Sequence, residues 1–261
     1  MTTRDEIEMK VDWIDHEHEG HIAQITVHRP AKLNVLNRES MITLRETFIK
    51  VSRRPELRAV ILTGGGDKAF IGGADIAEMS KLNPKSAREF ITTLHRACQS
   101  IRDCPAPVIA RIHGYCLGAG MEIAAACDLR IASTEAQFGM PEVQVGIPSV
   151  IEAVLLPRLI GWGKTNELLL TGKTIPAAEA EAIRFVERVA AVDDLDDALR
   201  EWTSAILSAG PLAIWSQKSL IRQWETLDVD DGIRAGIDTF AHSYTTNEPA
   251  TYTQRFIDRE R

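Results

Sequence analysis

The sequence predicts an α/β fold with parallel strands at its centre and helices in its last third. Three observations carry this. Residues 59–62 are an unbroken apolar run and Val108–Ile112 a β-branched run interrupted only by Arg111, as expected of strands buried on both faces. Each run leads into a glycine-rich turn and then a helical pattern, the order found in parallel α/β units. From residue 151 onward the periodicity is almost wholly helical.

At 261 residues the chain is long enough to bury roughly three quarters of its unfolded surface and to fold without staples. The formal charge of -7, from 37 acidic and 30 basic residues, leaves no basic stripe for nucleic acid or an anionic membrane. Cys98, Cys104, Cys116 and Cys127 lack metal-type spacing and have small or apolar neighbours, so they read as reduced, buried thiols. The charged start has no apolar leader segment, and no later run reaches membrane-spanning length. The expected compartment is the cytoplasm.

Taken in order, residues 21–27 alternate as a strand, broken by Arg29-Pro-Ala-Lys32. Asn37 then opens a helix with Met41, Leu44, Phe48 and Val51 on one face. The strand at 59–62 closes on Thr63-Gly-Gly-Gly-Asp67, and Gly72-Gly73-Ala74-Asp75 lets a ligand approach the main chain. An amphipathic helix over residues 86–102 leads through Pro105-Ala-Pro107 into the strand at Val108. After it come a turn built from Gly114, Gly118 and Gly120 and an alanine-rich helix from Met121. The first N–H groups of that helix lack intrahelical acceptors and face outward with the positive end of its dipole, a place for an anion or developing oxyanion. Residues 128–132 read as a strand, and Gln137-Phe-Gly139 as the approach to a turn at Pro141-Glu142. In the last third, residues 159–163 join two helices, while Pro176, Asp194, Pro211 and Asp230 stand ahead of further helices.

Two carboxylates stand beside these turns. Glu122 lies just inside the alanine-rich helix, and Glu142 follows twenty residues later. Either alone fits a plain helix-start acid. Together, beside two glycine turns, they suit general acid and base work, which needs two carboxyls of different proton affinity.

Three blocks, Phe70-Ile-Gly-Gly-Ala-Asp-Ile76, His113-Gly-Tyr-Cys-Leu-Gly-Ala-Gly-Met-Glu122 and Phe138-Gly-Met-Pro-Glu142, resemble in order and spacing the signatures of the crotonase superfamily of enoyl-CoA hydratases and isomerases. The loop from Arg29 to Asn37 and the C-terminal residues extend the resemblance nearly end to end. It implies a crotonase-like spiral of ββα units: a catalytic domain over residues 1–200 and a helical region over 201–261 for trimer formation and site closure, commonly in a dimer of trimers. It implies an oxyanion hole from the N–H groups of Ala74 and Ala119, with Lys32, Leu33, Gly73, Asp75, Ile76, Ala77 and Gly118 binding the acyl-CoA. It implies Glu122 and Glu142 as the pair that adds water across a 2-enoyl-CoA, with no metal and no redox cofactor. An enoyl-CoA isomerase, or a hydratase/lyase acting on a branched or functionalised acyl group, is the alternative within the superfamily.

The sequence departs from that pattern in two places. Pro148-Ser-Val-Ile-Glu-Ala replaces the usual glycine-rich segment and sets Glu152 where a glycine is expected, and Thr251-Tyr252 replaces a Glu-Gly pair. Glu152 reads as a first-turn acid, or else as a residue that meets a polar acyl group or perturbs a catalytic glutamate. Two other classes compete. A nicotinamide oxidoreductase is disfavoured because the glycine turn lies mid-chain and no Tyr-x-x-x-Lys occurs, and a non-catalytic acyl-CoA-binding subunit is disfavoured because both glutamates are retained. His113 reads as a satisfied structural histidine, and His16, His18 and His21 as a solvated edge. Trp162, Trp202, Trp215 and Trp224 read as core or subunit contacts.

Overall fold

The computed structural model describes residues 7–15 and 20–259. His16 and His18 therefore lie outside the described residues. The chain opens with strands β1 (Glu8–Asp15) and β2 (His21–His28) and helix α1 (Arg38–Ser52). It continues through β3 (Leu57–Gly64), β4 (Ala69–Ile71), α2 (Ile76–Met79) and α3 (Pro84–Arg102). Strands β5 (Val108–Ile112) and β6 (Tyr115–Leu117) lead into α4 (Ala119–Ala126), followed by β7 (Leu129–Ser133) and β8 (Gln137–Gly139). After two 3₁₀ turns come α5 (Leu156–Thr171), β9 (Thr174–Pro176), α6 (Ala177–Ala182) and β10 (Arg188–Ala190). Helices α7 (Leu195–Ser208), α8 (Pro211–Trp224), α9 (Val229–Ser243) and α10 (Glu248–Arg259) complete it.

Among the described residues, ten strands form two sheets. The larger runs β1-β2-β3-β5-β7-β10, parallel apart from β1, and the smaller runs β4-β6-β8-β9, parallel apart from β9. Three successive units, beginning at β3, β5 and β7, each send a first strand to the larger sheet, a three-residue strand to the smaller one, and then a helix. This is the ββα spiral.

The apolar runs read from the sequence are explained by burial on both faces. Val60 and Leu62 of β3 and Val108 and Ala110 of β5 face the main core. Ala59, Ile61 and Ile109 face a second cluster built with Leu195, Leu199 and Leu207 of α7. A strand covered on both sides shows no alternation. Because α7 packs on this face, residue 200 falls inside a helix that covers the sheet.

The strand β1, the three-residue strands and the late pair β9 and β10 were not legible in the sequence. Three residues are too few to establish a period of two, and β1 carries charged residues on an edge that is half exposed. The turn expected between β5 and α4 accordingly contains β6, α4 starts at Ala119 instead of Met121, and Gln137-Phe138-Gly139 is a strand. The last third is helical except for β9 and β10. The break expected near residue 161 is present, with Gly161 at φ 75° inside α5.

One buried residue ties the early loop to the sheets. Asn34, at φ 56° and without solvent exposure, accepts from the Arg29 N–H at 2.8 Å and donates to the carbonyls of Gly65 (3.0 Å) and Ala69 (2.7 Å). Asn34→Ala leaves these groups buried without partners and strains the backbone, at a cost of about 2 to 3 kcal/mol. The expected result is a lower urea midpoint with an unchanged far-UV spectrum at zero denaturant.

Candidate active site

The site forms where the smaller sheet ends. Strands β4 and β6 are parallel neighbours, so the loops that leave them, residues 72–75 and 118–119, lie side by side. In the first loop the Leu36 N–H donates to the Gly73 carbonyl and the Asp75 N–H to the Leu36 carbonyl, both at 2.8 Å. Ala74, bridged between them, turns its own N–H away from Leu36. In the second loop Gly118, at φ 52°, precedes the first helical residue, Ala119, and caps α4 with no side chain. The Ala119 N–H thus belongs to the first-turn donors that have no intrahelical acceptor.

The glycines are dictated by close approach. A Cβ on Gly120 would lie 2.1 Å from the Ile71 carbonyl oxygen, and one on Gly118 would lie 2.5 Å from Glu142 Oε1. The second distance also locates Glu142. Its carboxylate rests against the turn that starts α4.

Asp75 caps α2, accepting from the N–H groups of Ala77 (2.9 Å) and Glu78 (3.2 Å), and meets Arg29 Nη1 at 3.4 Å. Leu33 accepts from the Gly72 N–H at 2.8 Å and stands in the left-handed region at φ 53°. Ile76 is 63% exposed, and Lys32 and Ala77 are exposed as well. The expected acyl-CoA residues therefore share one open edge, with Gly73 and Gly118 buried beneath it.

Glu122 is 4% exposed, inside a helix whose eight residues are all buried. Its Oε1 has no hydrogen-bond partner among the described residues. Burial first, then the charges of Glu142 and Glu152, push its carboxyl up to about 9, against a smaller opposing pull from the main chain at Ala153 and Val150. Glu142, in the 3₁₀ turn Pro141–Val145, is half-buried and accepts a hydrogen bond from Ser149 Oγ at 2.8 Å on Oε2. The two carboxyls thus stand in different surroundings: one sealed and proton-retaining, the other polar and open. Replacing Ser149 by Ala removes a hydrogen bond to a carboxylate worth about 1.5 kcal/mol, and turnover is expected to fall about tenfold while binding of a saturated acyl-CoA is unchanged.

Glu152 stands in the first turn of the 3₁₀ helix Ile151–Leu155, as the sequence suggests, but it is buried. It is 5% exposed, and its Oε1 bonds His95 Nδ1 of α3 at 2.8 Å. The Cys98 thiol, one turn along α3, faces the same carboxyl, and burial together with Glu152 raises it well above the usual thiol range. Sequence reasoning gave no role to His95 or Ser149. Both reach the site through tertiary packing, and the only local hint was that His95 and Cys98 share a helix face.

Other expectations divide. His113 lies in the sequence beside Gly114 as expected, but neither ring nitrogen has a partner among the described residues, and burial and Arg111 lower its pKa. His21 bonds Asp15 at 2.7 Å on the exposed edge of the sheet. All four cysteines are buried and free. Trp202 packs on the second core cluster, whereas Trp162 is 73% exposed. Tyr252 donates to the Ala209 carbonyl at 3.3 Å.

The family model for enoyl-CoA hydratases/isomerases matches residues 17–261. The chain belongs to this family. It is 34% identical over 254 residues to a short-chain-enoyl-CoA hydratase of Clostridium acetobutylicum, covering 97% of both chains. It is 34% identical to a crotonyl-CoA hydratase of Syntrophomonas wolfei, covering 94% of this chain and 95% of the relative. Among solved structures, an enoyl-CoA hydratase from Bacillus anthracis superposes with a TM-score of 0.91 at 31% identity, covering 96% of each chain. The parallel sheets, ββα units and C-terminal helices are thus those of the crotonase fold.

Proposed function

We propose that this protein is an enoyl-CoA hydratase that adds water across the 2,3 double bond of a 2-enoyl-CoA to give a 3-hydroxyacyl-CoA. The observation that carries the reading is the Glu122 and Glu142 pair, two carboxyls at one turn, the first buried and held protonated up to about pH 9 and the second half-buried and hydrogen-bonded to Ser149. The pair enters the reaction holding one proton. The ionised carboxyl takes a proton from water as its oxygen bonds the β-carbon. The protonated carboxyl gives its proton to the α-carbon, so the pair ends as it began. The thioester oxygen gains negative charge between the N–H groups of Ala74 and Ala119, each worth roughly 3 to 4 kcal/mol in comparable chemistry. Lys32, Leu33, Gly73, Asp75, Ile76, Ala77 and Gly118 hold the acyl-CoA along the open edge. Hydration leaves the substrate's net oxidation state unchanged, so the reaction requires no redox cofactor, and the carboxyls and main chain do the work for which a metal would otherwise serve.

The test is the loss of conjugated enoyl-thioester absorbance when the protein meets crotonyl-CoA. Turnover at 1 s⁻¹ or faster, on the order of ordinary enzymes, is expected. A folded protein that binds CoA esters and turns over neither this substrate nor other 2-enoyl-CoAs would defeat the reading.

We further propose a homotrimer or dimer of trimers. Val229, Ile233, Ile237 and Phe240 form an apolar stripe at helical spacing on α9, each more than half exposed, and further copies of the chain would cover it. Light scattering on the purified protein reads the assembly directly. The four free thiols support a reducing compartment, the cytoplasm. Among the described residues no helix is long and apolar enough to cross a membrane.

A further inference from the structure

The stretch from Pro148 to Glu152 is built for more than closing the loop before α5. Ser149 holds Glu142, and two residues later Ile151 sits at φ 41°, a conformation that a β-branched residue adopts only when its surroundings impose it. That backbone delivers Glu152 into the space between α3 and α4. There it is 5% exposed, with Oε1 bonded to His95 Nδ1 and Oε2 buried without a partner among the described residues. It lies close enough to Glu122 for the two charges to oppose one another. A buried carboxyl oxygen without a partner is costly, and folding tolerates it where a ligand completes the bond.

We propose that Glu152 determines acyl specificity, accepting through Oε2 a hydrogen bond from a hydroxyl on the acyl chain of the thioester. The inference rests on the hydratase reading only for where the acyl chain lies, beyond Glu122. The chemistry of the pocket selects the class. Oε1 is already held by His95, so one oxygen is left for the ligand; a hydroxyl satisfies it with its single donor, whereas a buried ammonium would leave further donors without partners. A carboxylate on the chain would meet the charges of Glu142 and Glu152 that already oppose ionisation of Glu122, and is repelled. A plain alkyl chain would leave Oε2 buried and unbonded, and a site built to bond a hydroxyl discriminates against the analogue that lacks it.

The test has a binding arm and a turnover arm. Calorimetry compares 4-hydroxybutyryl-CoA with butyryl-CoA, and 5-hydroxypentanoyl-CoA with pentanoyl-CoA, on the wild type, Glu152→Gln and Glu152→Leu, each checked for folding by thermal melt. The wild type is expected to bind one hydroxylated ester at least tenfold tighter than its alkyl partner, the scale of a hydrogen bond to a charged group. Glu152→Gln keeps an acceptor and retains part of the preference, whereas Glu152→Leu abolishes or reverses it. Equal binding of both hydroxylated esters and their partners by the wild type overturns the proposal, as does a preference that survives in a folded Leu variant. The turnover arm uses 4-hydroxycrotonyl-CoA and crotonyl-CoA. Absence of turnover on both removes the hydratase reading alone, and the binding comparison still decides the role of Glu152.

Discussion

Glu122→Gln and Glu142→Gln are each expected to lower kcat with crotonyl-CoA by a hundredfold or more, with KM changed by only a few fold. Each glutamine keeps the volume and polarity of its site and removes only the ability to exchange a proton, which general acid and base catalysis makes worth that much. The pH profile gives the reading a second edge. The pair must hold one proton, and burial of Glu122 with two carboxylates nearby keeps that proton up to about pH 9. Activity should therefore be retained through neutral pH and fall as pH rises through about 9. Removing one of the opposing charges by Glu152→Gln relaxes the carboxyl toward its ordinary value, and the alkaline limb moves to lower pH. Stopped-flow rates between pH 6 and 10 check both statements. An alkaline limb unmoved by Glu152→Gln would show that the third carboxyl does not act on the pair.

The sequence was most informative where chemistry and backbone geometry coincide. Gly118 and Gly120 suit a ligand turn because a side chain is strained at the φ of 52° at Gly118 and would meet the Ile71 carbonyl at Gly120. The strands β3 and β5 were legible because burial on two faces leaves apolar runs, broken in β5 only by Arg111 near its end. The smaller sheet was not, since its strands have three residues each and their pairing is fixed by neighbours far along the chain. The partners of the carboxylates were hidden for the same reason. His95 lies 57 residues from Glu152, and no local pattern announces that an exposed face of α3 will meet a 3₁₀ turn. Glu152 was visible as a departure, but first-turn acids are common, and only its burial beside Glu122 separates it from them.

Burial of Glu122 also has a consequence for stability, with a sign that opposes its use in turnover. The folded protein keeps this carboxyl protonated up to about pH 9, while in the unfolded chain it ionises near 4.5. Below pH 4.5 the group is neutral in both states and favours neither. Between these values the folded state binds the extra proton, so this residue destabilises the fold increasingly as pH rises, and the penalty levels off above the folded value of about 9. Glutamine carries no such dependence. Glu122→Gln should therefore match the wild type near pH 5 and exceed it at pH 8, by on the order of 4 kcal/mol at 1.36 kcal/mol per unit. Thermal melts of both proteins at pH 5 and 8 read the difference, with a Tm gain at pH 8 of several degrees for a chain of this size. A variant that melted below the wild type at pH 8 would mean that Glu122 is held by favourable bonds in its ionised form. A gain confined to pH 8 would show that the fold tolerates a group whose ionisation it opposes, as expected where a carboxyl is kept for proton transfer instead of for packing.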